Sequence, residues 1–247
     1  LYPDPYMRTP GDIDIYLSGG RKKILKYVDR VCPNQVMRYH HVDFPVMKTA
    51  IEVHFTPSYM FYPIHNRRMQ KWFEEVMGEQ CNHRVSLPDG YGKIHVPKVS
   101  FNVIYILSHL YRHIFTEGIG LRQLLDYYYV LISDDLLLIR DRVQKELKHL
   151  GLWKFAQAVM FVMKEVFGLS EDRMIAPMDE KEGRFLLDEI MRGGNFGQYD
   201  DRMGSKVGES KIHRYFRMNL RNLRFVKHYP TAVSYTHLRA HETKANL

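Results

Sequence analysis

The feature that most constrains this chain is a short alternation of acidic and aliphatic side chains, Asp12-Ile13-Asp14-Ile15-Tyr16-Leu17, closed by Ser18-Gly19-Gly20. Side chains on a strand point to alternate faces, so both aspartates share one side and both isoleucines the other. That predicts a strand with one acidic face and one buried face. After the glycines, Ile24, Leu25, Val28 and Val31 fall at helical spacing, which predicts a helix over 21–31. Two further β-like runs, 38–46 and 49–55, are separated only by Met47-Lys48, the gap of a hairpin. In the second run Glu52 and His54 share a face, and Ile51, Val53 and Phe55 share the other.

Residues 56–97 are mixed, with loops expected around Pro57, Pro63 and 87–97. Helices are expected over 101–114, 121–132, 136–150 and 153–167, punctuated by Gly118, Gly120 and Gly151. Gly193-Gly194-Asn195-Phe196-Gly197 reads as a flexible connection, since a phosphate loop would end in Gly-Lys-Ser/Thr. A basic amphipathic helix is expected over about 211–228. The fold class that emerges is α+β: a small mixed sheet over 1–60 followed by an α-helical region over 61–233. The stretch 234–247 resembles a translated sequencing adapter and is set apart from the fold. The chain opens on Leu1 rather than Met, in a segment rich in Pro and Tyr, and reads as a fragment whose true start lies upstream.

Charge and cysteine content narrow the classes. A formal charge of +8, from 36 basic against 28 acidic residues, favours phosphate-bearing partners without specifying a fold. Two cysteines, Cys32 and Cys81, make neither a disulfide framework nor a zinc cluster, so a reduced, cytoplasmic setting is expected. The apolar runs 136–139 and 158–163 are far too short to span a bilayer.

Two aspartates side by side repel unless a cation lies between them. Mg2+ takes oxygen ligands and binds through a few carboxylates together with substrate phosphates. A third carboxylate from a neighbouring strand completes a two-metal site, and Glu52 faces the correct way if the hairpin brings it beside Asp12 and Asp14. The same Asp-x-Asp spacing also suits the solvated face of an edge strand, so spacing alone leaves both readings open.

The order of motifs adds to this. Tyr2-Pro3-Asp4-Pro5, Arg8 and Gly11-Asp12-Ile13-Asp14-Ile15 resemble the opening of an uncharacterised bacterial nucleotidyltransferase family of the polymerase-β-like superfamily. Ile51-Glu52-Val53-His54-Phe55 is similar to its later acidic strand. The stretch 109–131, with Gly118-Ile119-Gly120-Leu121-Arg122-Gln123, resembles its helical signature, and 219–230 a segment near its C-terminus. The resemblance implies a nucleoside triphosphate substrate, with ATP the default by abundance, and Mg2+ as cofactor. It implies Asp12, Asp14 and Glu52 as metal ligands and catalytic carboxylates, with Glu52 also a candidate base. Arg8 and Gly11 carry over as nucleotide-binding positions. The acceptor (protein, RNA or small molecule) and the oligomeric state are not implied. The superfamily's glycine turn ahead of the Asp-x-Asp strand is absent here and is expected upstream of Leu1.

Other motifs are weighed more plainly. His109 and His113 stand four apart on a helix, but Leu110 occupies the place of a zinc protease's glutamate, so packing is expected. Arg214, Arg217, Arg221 and Arg224 form a basic helix face opposite Phe216, Leu220 and Leu223. A helix packed by its apolar side with solvated arginines explains that pattern. Binding of RNA or an anionic membrane surface would explain it too. The alternative to an enzyme is therefore a non-catalytic protein of the same fold that engages nucleic acid or a protein partner through that helix.

Overall fold

The computed structural model describes residues 2–8, 11–47, 49–80, 82–116, 118–194, 210, 220 and 223–232. The fold is α+β. Two compact units divide the chain, 1–59 and 60–247.

The first unit is a three-stranded mixed sheet covered by one helix. Strand β1 (Ile13–Tyr16) runs into helix α1 (Arg21–Val31), and β2 (His41–Asp43) and β3 (Ile51–His54) form the expected hairpin. The strand order is β1-β3-β2, with β1 parallel and β2 antiparallel to the central β3. A parallel pair needs a crossover, and α1 supplies it. Gly19 and Gly20 make the turn into α1 at φ of 118° and 80°, backbone that L side chains rarely adopt. Ile24 and Val28 of α1 pack on Val42, Val53 and Phe55, with Leu17, Leu25, Phe44 and Ile51 at the margin.

One expectation fails here. Ile13 and Ile15 were expected on a buried face, yet they are 48% and 38% exposed. A helix is about 10 Å across and strands lie about 4.8 Å apart, so one helix covers roughly two strands. Helix α1 covers β2 and β3, and leaves the edge strand β1 open.

The second unit is mainly helical: α2 (Pro63–Gln80), α3 (Val99–Thr116), α4 (Leu121–Leu131), α5 (Asp134–His149), α6 (Trp153–Phe167) and α7 (Glu180–Gly193). A small hairpin, β4 (Arg84–Ser86) with β5 (Lys93–His95), sits between α2 and α3. Helices α3 to α6 match the periodicity of the sequence. Helix α2 corrects the expectation of mixed structure and a loop at Pro63. Proline is favoured in the first turn of a helix, where its missing N–H costs nothing, and Met69, Trp72 and Phe73 then form the buried stripe. Trp72 stacks on Phe101 of α3 with ring centres 5.6 Å apart. Helix α7 was not expected, because Gly183 and the buried Glu182 and Glu189 interrupt its apolar pattern. His109 and His113 flank Arg112, whose guanidinium lies 3.3 and 3.0 Å from their rings.

The segment 223–228 is helical, but its orientation differs from the expected one. Leu220 and Leu223 are exposed, whereas Phe225 is fully buried against Phe115 and Phe185. Arg224 is exposed, as expected, and pairs with Asp188 and the buried Glu189, each at 3.0 Å. A buried carboxylate demands a cation, and this demand sets the rotation of the segment. Arg214, Arg217, Arg221 and the stretch 234–247 lie outside the described residues. No helix among the described residues is long and apolar enough to cross a membrane.

Gly183 marks the closest approach of α7 to α6, since a Cβ there would collide with the Cβ and ring of Phe161. The Phe161 Cβ is fixed to its backbone, so relief requires the helices to part. Overpacking of this kind costs about 1–3 kcal/mol, against about 1 kcal/mol gained from the helix propensity of alanine. Gly183→Ala is therefore expected to lower the urea midpoint with m unchanged, a net loss of up to about 2 kcal/mol.

Candidate active site

The register of the sheet builds the site. Asp14 of β1 is paired with Glu52 of β3, and Glu52 with Asp43 of β2. Two residues along, Tyr16 is paired with His54, and His54 with His41. Residues two apart on a strand share a face, and directly paired residues on neighbouring strands are adjacent. One face of the sheet therefore carries a row of three carboxylates beside a row of two imidazoles and a phenol. The opposite face is the one packed on α1 by Val42 and Val53.

Three carboxylates in a row would repel. The imidazoles answer this. The His54 ring Nε2 lies 2.8 Å from Asp14 Oδ1 and 3.4 Å from Glu52 Oε2. The His41 ring Nδ1 lies 3.0 Å from the same Glu52 oxygen, and its Nε2 is 3.7 Å from Asp43 Oδ1. His40, just before β2, brings its Nε2 to 3.3 Å from His41 Nδ1. All three histidines are buried. Burial works against a charge on His54, but its hydrogen bonds to Asp14 and Glu52 outweigh it and raise the pKa to about 9. For Glu52, burial likewise favours the neutral acid. His41 and His54 overcome it and hold the carboxyl well below its ordinary range.

The residues singled out in the sequence are placed as follows. Asp14 and Glu52 come together with His54, one ligand atom from each lying within 4.8 Å of the others. Asp12 stands just ahead of β1 and is exposed, as are Gly11 and Arg8. A Cβ built on Gly11 meets nothing within 4 Å, so the approach to β1 is open there. Asp43, His40 and His41 were missed. The alternation His41-Val42-Asp43-Phe44 repeats the pattern that drew attention to β1, and reading it the same way would have found two of them.

The donor chemistry suits a divalent cation. Asp14 and Glu52 offer hard oxygen ligands from adjacent strands, and Glu52 is kept ionised. Each cluster among the described residues that could hold an ion also carries a histidine.

The comparisons with known proteins add a family. The profile of a family described as an uncharacterised nucleotidyltransferase matches residues 1–168. Among curated proteins and solved structures, none matches the chain.

The two shifted groups make stability depend on pH. His54 is raised from 6.5, so its contribution is complete below pH 6.5 and fades as the pH climbs to about 9. Glu52 is lowered from 4.5, so its contribution is present above pH 4.5 and is lost as the pH falls below that. In chelator-treated solution, urea unfolding followed by the amide NMR signals of residues 1–59 should show greatest resistance between pH 4.5 and 6.5. The decline from pH 6.5 to 9 should be absent in His54→Gln.

Proposed function

The chain belongs to the family of uncharacterised nucleotidyltransferases, and on that premise we propose that it moves a nucleotide from a nucleoside triphosphate, ATP by default, to an acceptor. The observation that carries this reading is the in-register pairing of Asp14 with Glu52 on neighbouring strands, with Asp12 two residues upstream.

In this reading Asp12, Asp14 and Glu52 hold Mg2+. When bound, the ion neutralises charge on the triphosphate oxygens during transfer. An acceptor hydroxyl oxygen attacks the α-phosphorus in line and gives up its proton to solvent, a new P–O bond forms, and the bond to pyrophosphate breaks. The residues of the chain serve mainly to position. The β1–β3 ladder fixes the spacing of Asp14 and Glu52, and His54 orients the Asp14 carboxylate through its 2.8 Å contact. Glu52 binds protons poorly, which suits a ligand better than a base. Arg8 and Gly11, exposed on the approach to β1, are positions where the triphosphate meets a cation and an unobstructed backbone.

Calorimetric titration with a non-hydrolysable ATP analogue is the test, with and without Mg2+. Metal-dependent binding is expected in the unmodified chain, and Asp14→Asn and Glu52→Gln should each weaken it by about 100-fold, the several kcal/mol a metal clamp supplies. Equal binding by both variants, or binding indifferent to Mg2+, would sink the reading.

A further inference from the structure

We propose that His40, His41 and His54 form a binding site for a divalent transition ion of the Zn2+ class, adjoining the carboxylate row. Three observations carry it. First, the three imidazoles surround one another, with ring centres 4.5, 5.1 and 5.1 Å apart and a ring nitrogen of each within 4.8 Å of the others. Second, two of the rings already present nitrogens to each other at coordination spacing: His40 Nε2 to His41 Nδ1 is 3.3 Å. A Zn–N bond of about 2.0–2.1 Å places tetrahedral neighbours about 3.3–3.4 Å apart, so this pair already stands at the spacing of two ligands of one ion. Third, the rings are hidden from solvent, at 4%, 7% and 3% exposure. Two ring nitrogens facing each other at 3.3 Å need a shared proton or a shared metal, and water is excluded from most of the cluster.

Ligand type decides the ion. Imidazole nitrogen suits Zn2+ and its neighbours, whereas Mg2+ demands oxygen and sheds water reluctantly. Binding displaces whatever protons the histidines carry, since only the neutral ring ligates. Asp14 holds His54 Nε2 at 2.8 Å, so His54 ligates through its other ring nitrogen, the buried Nδ1, and Asp14 is an outer partner that orients the ring. The proposal stands whether or not the carboxylate row binds Mg2+ and nucleotide.

The test is a titration of the tag-free, chelator-stripped chain with Co2+ as a spectroscopic stand-in for Zn2+, in millimolar Mg2+, followed by visible absorbance and then by Zn2+ displacement. One equivalent with the intense d–d band of a four- or five-coordinate nitrogen site is expected. His40→Asn and His54→Gln should each weaken binding by more than the roughly 10–100-fold that an outer partner is worth, and Asp14→Asn by no more than that. Far-UV circular dichroism of the metal-free variants checks folding, and His41→Gln replaces any variant that fails it. Absence of the band, displacement by Mg2+, or equal affinity in the histidine variants would each overturn the proposal. The last would place the ion on other histidines of the chain. Loss of nucleotide binding in Asp14→Asn with Co2+ binding kept would separate this site from the carboxylate one.

Discussion

The repulsion within one row of carboxylates governs the first unit. Asp14, Glu52 and Asp43 meet across three paired strands, and the register permits no escape to the other face, which is committed to the apolar contacts with α1. Compensation must therefore come from within the same face, and the next row supplies it. His54 and His41 converge on one oxygen of Glu52, and His54 also reaches Asp14. Burying three imidazoles is costly unless they are paired with charge, so each row is the condition for the other. A sheet of three strands holds its shape here because its polar face is internally balanced and its apolar face is covered over β2 and β3.

Much of this was legible from residues 12–17 and 51–55, where alternation by two assigns faces without any knowledge of the fold. Strands β1 to β3, helix α1, the β2–β3 hairpin and helices α3 to α6 follow from periodicity and turn chemistry, whereas β4 and β5 fall where mixed structure and loops were expected. What alternation does not encode is coverage. Ile13 and Ile15 carry the signature of a buried face, but burial depends on whether a partner is wide enough to reach them. Nor does a one-strand reading find His40, which precedes β2 and takes its place through its contact with His41.

In the helical unit the misses share one physical cause: residues that break the apolar pattern are there because a specific partner answers them. Glu182 is buried between Lys154 and His228, and Glu189 is buried against Arg224. His228 also stacks on Phe185 at 3.7 Å. These buried acids made α7 look unlike a core helix, yet they are what fixes the rotation of the 223–228 segment. Pro63 misled for a related reason, since a residue that ends helices elsewhere is well placed at the start of one.

The open flank of β1 has a consequence for how this protein can vary. An edge strand bearing exposed isoleucines is a template for joining another chain, and acidic side chains on that strand are among the devices that prevent it. Asp14 on β1 and Asp12 just ahead of it put negative charge at that exposed edge, apart from any ion they gather. Selection on them acts through two channels, chemistry and solubility. A relative that had lost all catalytic use for these aspartates would still be penalised for replacing them with neutral residues, so their persistence in a lineage would not by itself mark a living enzyme.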